Sequence, residues 1–268
     1  MTRPAPPTAG VVVLTDRWQA RRPLVEVIAA AVAGGVRSVV LREKDLPRAE
    51  RAALAADLRA VLTGAGGTLI VAGPDPLGGD AVHLPAAGPY PPPQHTLVGR
   101  SCHDAAELDR LTSEDYVTLS PVHPTRTKPG YGPPLGVDGL RRLVAISPVP
   151  VLALGGIETP DQVRDCVTAG AAGVAVLGAI MRAPDPTHTA ATLTQAFTSA
   201  RALPTDRAVT TLGRASPEAA TPLPSTPHPS TEPPTTGLRP TVPTQGSSLT
   251  ARSGHGRPQP QSATKEEK

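Results

Sequence analysis

Aromatic residues are nearly missing from this chain: one Trp, one Phe and three Tyr amount to 2% of its 268 residues. That leaves no material for stacking rings interleaved with basic side chains, and the net charge of +3 supplies no basic stripe. No nucleic-acid partner is expected. Cysteine is equally scarce. Cys102 and Cys166 lie far apart with no metal-like spacing, which speaks against a disulfide framework and fits a reducing compartment. No apolar run approaches the roughly 18 residues that a membrane span requires. The opening MTRPAPPTAG has no hydrophobic signal-peptide core. The expectation is a soluble, cytoplasmic protein with no membrane partner.

Proline, by contrast, is abundant at 34 residues, and much of it is clustered. From Leu203 onward the chain reads as Pro, Thr, Ser and Gly, as in TPLPSTPHPSTEPPTTGLRP. Such a segment buries too little apolar surface to offset its ordering entropy. Residues 1–9 are expected to be a flexible start, 10–202 one domain, and 203–268 a disordered tail.

Within 10–202, strand-length apolar runs alternate with helical patterns. The strands are expected at Val11–Thr15, Ser38–Leu41, Thr68–Val71, Ala81–Leu84, Leu97–Gly99, Tyr116–Ser120, Val151–Leu154 and Gly173–Leu177. Helices fill most of the spacers, including Leu24–Ala33, Arg48–Thr63, Val137–Ile146 and about Thr187–Ala202. One spacer, AGPDPLGGD, is too short for a helix. Strict β/α alternation implies a parallel sheet covered on both faces, here a closed (β/α)₈ TIM barrel. An open doubly wound sheet would want G-x-G-x-x-G after the first strand, where the sequence is LTDRWQA.

Two consecutive units, LALGGIETP and VAVLGAI, each end a strand in a small-residue turn before a helix. Their backbone N–H groups predict a phosphate site, the usual place for one above the last two strands of such barrels. Other strands deliver Arg42, Glu43 and Lys44, then His83, then Ser101, Cys102 and His103. The loop PVHPTRTKPGYGPP carries His123, Thr125, Thr127 and Lys128. Arg42 and Lys44 suit a polyanion clamp, and His123 has an ordinary pKa suited to proton transfer. Cys102 and His103 are adjacent on a strand and so face opposite ways, which argues against a Cys–His nucleophile.

LREK at 41–44, GRSCH at 99–103, DYVTLSPVHPTRTK at 115–128, LALGGI at 152–157 and GVAVLGAI at 173–180 together resemble the thiamine phosphate synthase/TenI family of (β/α)₈ barrels. The resemblance covers about Val11 to Arg201. It implies that Arg42, Lys44, Ser101 and Lys128 match positions that hold a pyrimidine diphosphate in the synthases. It also implies that Thr125, Arg126 and Thr127 match the thiazole-phosphate loop, and that Gly156, Leu177 and Gly178 match the phosphate turns. The synthases join the two substrates with Mg²⁺ and release pyrophosphate. Here, though, the two metal-binding Asp positions are Gly73 and Gly88, and the Gln before LREK is Val40.

HLPAAG followed by GRSCH looks more like the TenI branch, whose catalytic His position is Pro121. The expectation is therefore a TenI-like tautomerase acting on a thiazole phosphate. In it His123 moves the proton, with His83 and His103 as alternatives, Lys128 stabilises negative charge, and no cofactor or metal takes part. The alternatives are a divergent synthase with Mg²⁺ and a non-catalytic phosphate-binding protein. The expected partner is a small phosphorylated thiazole, with a homo-oligomer left open.

Overall fold

The structure is a computed structural model that describes residues 9–125 and 133–203. Eight strands close in sequence order into one parallel barrel. They are β1 (Gly10–Leu14), β2 (Ser38–Leu41), β3 (Thr68–Ala72), β4 (Ala81–Leu84), β5 (Val98–Cys102), β6 (Tyr116–Leu119), β7 (Val151–Leu154) and β8 (Gly173–Val176). The seam closes where β1 pairs with β8, Val12 opposite Ala175.

Alternation along each strand sorts side chains into two layers. Val11 and Val13, Leu69 and Val71, Val117 and Leu119, and Val174 and Val176 point outward into one large apolar cluster with the helices. Val12, Leu14, Val40, Ile70, Ala72, Tyr116, Leu152 and Ala175 point inward and pack against one another.

The helices are α1 (Leu24–Ala33), α2 (Arg48–Thr63), α3 (Ala105–Asp109), α4 (Gly136–Ile146), α5 (Pro160–Thr168), α6 (Gly178–Met181) and α7 (Pro186–Ala202). On α1 the buried residues are Leu24, Val27, Ile28, Ala31 and Val32, the apolar stripe of a surface helix. Thr159 caps α5 through a capping box with Gln162, with Pro160 at the first helical position. Asp104 caps α3 by accepting from the Glu107 N–H.

The spacer between β3 and β4 holds no helix, as its length predicts, and neither does the Pro-rich spacer between β4 and β5. The outer face there is closed instead by Val82, Leu84 and Val98, packed as a small cluster of their own. Beside them lies a buried pair, Arg100 and Glu114, at 2.5 Å with both side chains fully enclosed. Arg100 also donates to the carbonyls of Pro85 (2.8 Å) and Pro89 (2.7 Å) and stacks on the Tyr90 ring. A guanidinium thus holds the loop that a helix would otherwise hold.

β5 starts later and runs further than its sequence suggests. Gly99, expected as the last residue of the strand, sits inside it, and a Cβ there would run into the Tyr116 ring. The ring of β6 fills the space above the glycine of β5, so the residue is missing its side chain for packing reasons.

Candidate active site

The C-terminal ends of the strands surround a cavity of about 720 Å³. Its floor is the inward layer: Leu14, Val40, Ala72, Leu152 and Ala175. One wall of the floor is polar. His83 of β4 is hydrogen-bonded through Nε2 to Ser101 Oγ of β5 at 3.0 Å and lies 3.4 Å from Thr118 Oγ1 of β6. Its ring stacks on Tyr116 at 5.7 Å. Enclosure, with help from the charges of Lys44 and Arg100, pushes the His83 pKa down to about 3. The imidazole is therefore neutral at physiological pH. His83 Nδ1 and the Tyr116 hydroxyl are buried without a partner, so the floor presents unspent polar atoms next to the cavity.

The end of β2 forms a charged wall. Arg42, Glu43, Lys44 and Asp45 all line the cavity. The Arg42 N–H donates to Thr15 Oγ1 at 2.9 Å, which ties this strand end to β1. Glu43 is buried and takes both the backbone N–H of Arg17 (3.2 Å) and its guanidinium (2.9 Å). Asp45 takes the other side of the same guanidinium. That pairing holds the Asp45 carboxyl far below its ordinary pKa and the Arg17 guanidinium above its own.

The turns after β7 and β8 lie on the other side of β1 from this wall, and there Gly155, Gly156, Leu177 and Gly178 line the cavity. Gly156 has φ +66, and a Cβ there would stand 2.4 Å from the Pro124 carbonyl oxygen. Only glycine permits both that conformation and that approach. The guanidinium of Arg182 lies over Gly178 and is held by Gln19 and by Glu158 (2.6 Å). Thr125 also lines the cavity. Arg126, Thr127 and Lys128 lie outside the described residues. The base of their loop is stitched shut: Leu135 N–H donates to Pro121 O (2.8 Å) and Gly136 N–H to Val122 O (3.0 Å).

His123 does not join this group. Its N–H donates to the Gly155 carbonyl, its Nε2 is buried without a partner, and it is absent from the residues lining the cavity. Burial lowers its pKa, opposed by the charge of Asp165 of α5. The backbone path beyond β6 sets its place. The strand-end turn at Gly155 and Gly156 packs directly on the His123 backbone and Cβ. His83 and His103 are the histidines on the cavity wall, and His103 Nδ1 is 2.8 Å from Glu107 Oε2.

The family model described as thiamine monophosphate synthase matches residues 11–180. The chain belongs to the thiamine monophosphate synthase family. A protein of Geobacter sulfurreducens called a putative thiamine-phosphate synthase is 38% identical over 193 residues, 67% of this chain and 90% of its own length. A thiamine-phosphate synthase of Moorella thermoacetica is 32% identical over 202 residues, 71% of this chain and 96% of that one. Among solved structures, thiamine phosphate pyrophosphorylase of Pyrococcus furiosus shares the fold, with TM-score 0.61 and 24% identity over 71% of this chain and 96% of its own.

The family resemblance implies Mg²⁺, which takes oxygen ligands, usually one or two carboxylates plus substrate phosphates. The residues here do not fit it. At the end of β3 the Ala72 carbonyl accepts from the guanidinium of Arg51, so a cation already occupies that edge, and the next residue is Gly73. The second family position is Gly88. The carboxylates that do line the cavity face arginines: Asp16 to Arg42 (3.9 Å), Glu43 to Arg17 (2.9 Å) and Glu158 to Arg182 (2.6 Å). Among the described residues no group of three or more His, Cys, Asp or Glu is placed to hold a metal.

Cys102 points outward into the apolar cluster, and burial raises its pKa to about 12, which removes it as a nucleophile. Sequence reasoning missed Arg51, Arg182 and Trp18. Each owes its place to a partner distant in sequence, and none sits in a motif. Among the described residues no helix is long and apolar enough to cross a membrane.

Proposed function

We propose that this chain is a thiamine-phosphate synthase, which joins a pyrimidine diphosphate to a thiazole phosphate. A C–N bond forms between the thiazole nitrogen and the pyrimidine's methylene carbon. The C–O bond to the diphosphate breaks, and its electron pair leaves with pyrophosphate. The observation that carries this reading is one cavity with two groups suited to phosphate. Arg42 and Lys44 stand at the end of β2, and the glycine turns of β7 and β8, with Arg182 beside Gly178, lie on the other side of β1 from them. An apolar floor and a polar His83–Ser101–Thr118 wall complete the cavity.

In this reading Arg42 and Lys44 hold the diphosphate, and the charge that builds on the leaving pyrophosphate meets fixed cations. Ser101, on the same wall, meets the pyrimidine, and Lys128 adds to the diphosphate end. Gly156, Leu177 and Gly178 hold the thiazole phosphate with Thr125, Arg126 and Thr127. The names of relatives at 32–38% identity over 90–96% of their lengths support the synthase reaction, and nothing in them speaks for the tautomerase. The tautomerase reading puts the proton transfer first on His123, which does not line the cavity, and only its alternatives His83 and His103 do.

The test is to incubate the full chain with both substrates and separate thiamine phosphate by chromatography. Product is expected, with turnover about a hundredfold lower in Lys44→Ala, the scale of losing one charge-stabilising group. No product, with a known synthase active in parallel, overturns the proposal. Tautomer exchange of the thiazole phosphate in that same sample would return the proton-transfer reading.

A further inference from the structure

Trp18 is the chain's single tryptophan, and it sits 79% exposed at the mouth of the cavity. An isolated exposed apolar side chain is ordinary on a protein surface. This one is not loose. Its backbone N–H donates to Asp16 Oδ1 at 3.1 Å, and its indole N–H reaches Asp45 Oδ2 at 3.4 Å. The Arg17 guanidinium stands 4.5 Å from the ring centroid. That guanidinium is itself fixed by Glu43 and Asp45 at the end of β2. The backbone is thus fixed at one point and the ring at two, its N–H and one face, while most of its surface stays open.

A side chain fixed in advance loses little entropy when a ligand lands on it. Indole offers a flat π face for another flat ring, and the arginine behind it keeps one side backed. The tethers run to Asp45 on the charged wall that carries Arg42 and Lys44, and Trp18 lines the same cavity as those two cations and the glycine turns. We propose that Trp18 is a stacking platform that selects phosphorylated ligands carrying a flat heteroaromatic ring over plain phosphates. The inference rests on the proposed function for the identity of the rings, either pyrimidine or thiazole.

Because no second tryptophan contributes, emission excited at the red edge of the indole band, beyond the absorption of the three tyrosines, reports on Trp18 alone. Titration with pyrimidine diphosphate and with thiazole phosphate identifies which ring stacks, and inorganic pyrophosphate serves as the ringless probe. Quenching by at least one heteroaromatic ligand and not by pyrophosphate is expected. Calorimetry on Trp18→Ala should then show affinity for that ligand weakened roughly tenfold, the scale of one lost base–aromatic stack. Pyrophosphate affinity should stay unchanged, and Trp18→Phe should restore most of the loss. Unchanged pyrophosphate binding in Trp18→Ala also serves as the check that the variant is folded.

If the heteroaromatic ligands bind the wild type and Trp18→Ala equally well, the platform is refuted while the proposed function stands. If neither ligand binds the wild type, both fall. Emission that shifts on dilution in the absence of ligand would place Trp18 between two copies of the chain and overturn the proposal.

Discussion

At the residue scale, His83 shows how enclosure, with the nearby charges of Lys44 and Arg100, changes a titratable group. Its pKa falls from 6.5 to about 3, so above pH 6.5 the folded and unfolded chains are both neutral at this position. Between those values the unfolded chain takes up a proton that the folded ring refuses. Stability therefore declines as pH falls through this window, by up to about 1.4 kcal/mol per pH unit from this group. Thermal melts of His83→Gln should show a flatter decline between pH 6.5 and 4 than the wild type, and equal slopes would refute this assignment. Gly99 is the companion case. Gly99→Ala forces a methyl into the Tyr116 ring, and overpacking of this kind costs about 1–3 kcal/mol or more. A melting temperature lowered by several degrees is the expected reading, and an unchanged one would mean that the ring has room to move.

At the element scale, the barrel lacks helices on both sides of β4 and uses a side chain in their place. Arg100 fastens the β4–β5 loop, whose Pro85, Ala86 and Ala87 line the cavity. Burial opposes the charge of Glu114, but hydrogen bonds from the Thr112 N–H and from Arg100 outweigh it and keep its pKa low. Arg100→Ala strands that carboxylate in an enclosed site, a change that costs about 3–5 kcal/mol. Chemical denaturation should show a loss of that size, and a loss near zero would show that the loop holds itself. Arg51 of α2 plays a parallel part at the end of β3, where the family resemblance implies a metal. Calorimetry with inorganic pyrophosphate should give the same affinity with EDTA as without, and a requirement for divalent ions would contradict the donor set described here.

At the scale of the whole molecule, α7 completes the helical layer by packing on α1 and α5, with Leu193 and Phe197 buried. The composition after Leu203 offers no comparable apolar periodicity. A chain ending at Leu203 should therefore melt with the full-length protein and keep its ligand affinity. A lower melting temperature, or weaker binding, would show that residues 204–268 contribute to the barrel or its site. A cut placed inside α7 removes Phe197 and should instead destabilise the protein strongly.

How much was legible in the sequence divides along a physical line. Strand count, the parallel barrel and the paired glycine turns depend on local periodicity and on residues within a few positions of one another. The sequence by itself determined these. The facing of individual histidines was not legible: His83 sits within β4 and lines the floor, whereas His123 lies in the loop beyond β6, where strand alternation no longer sets direction and Gly156 packs against it. Nor were the ion pairs and hydrogen bonds that hold the site. Arg17 meets Glu43 and Asp45 across separations of 26 and 28 residues, and Arg182 meets Gln19 across 163. Only closure of the barrel, which brings β1 beside both β2 and β8, decides those meetings and with them the position of Trp18.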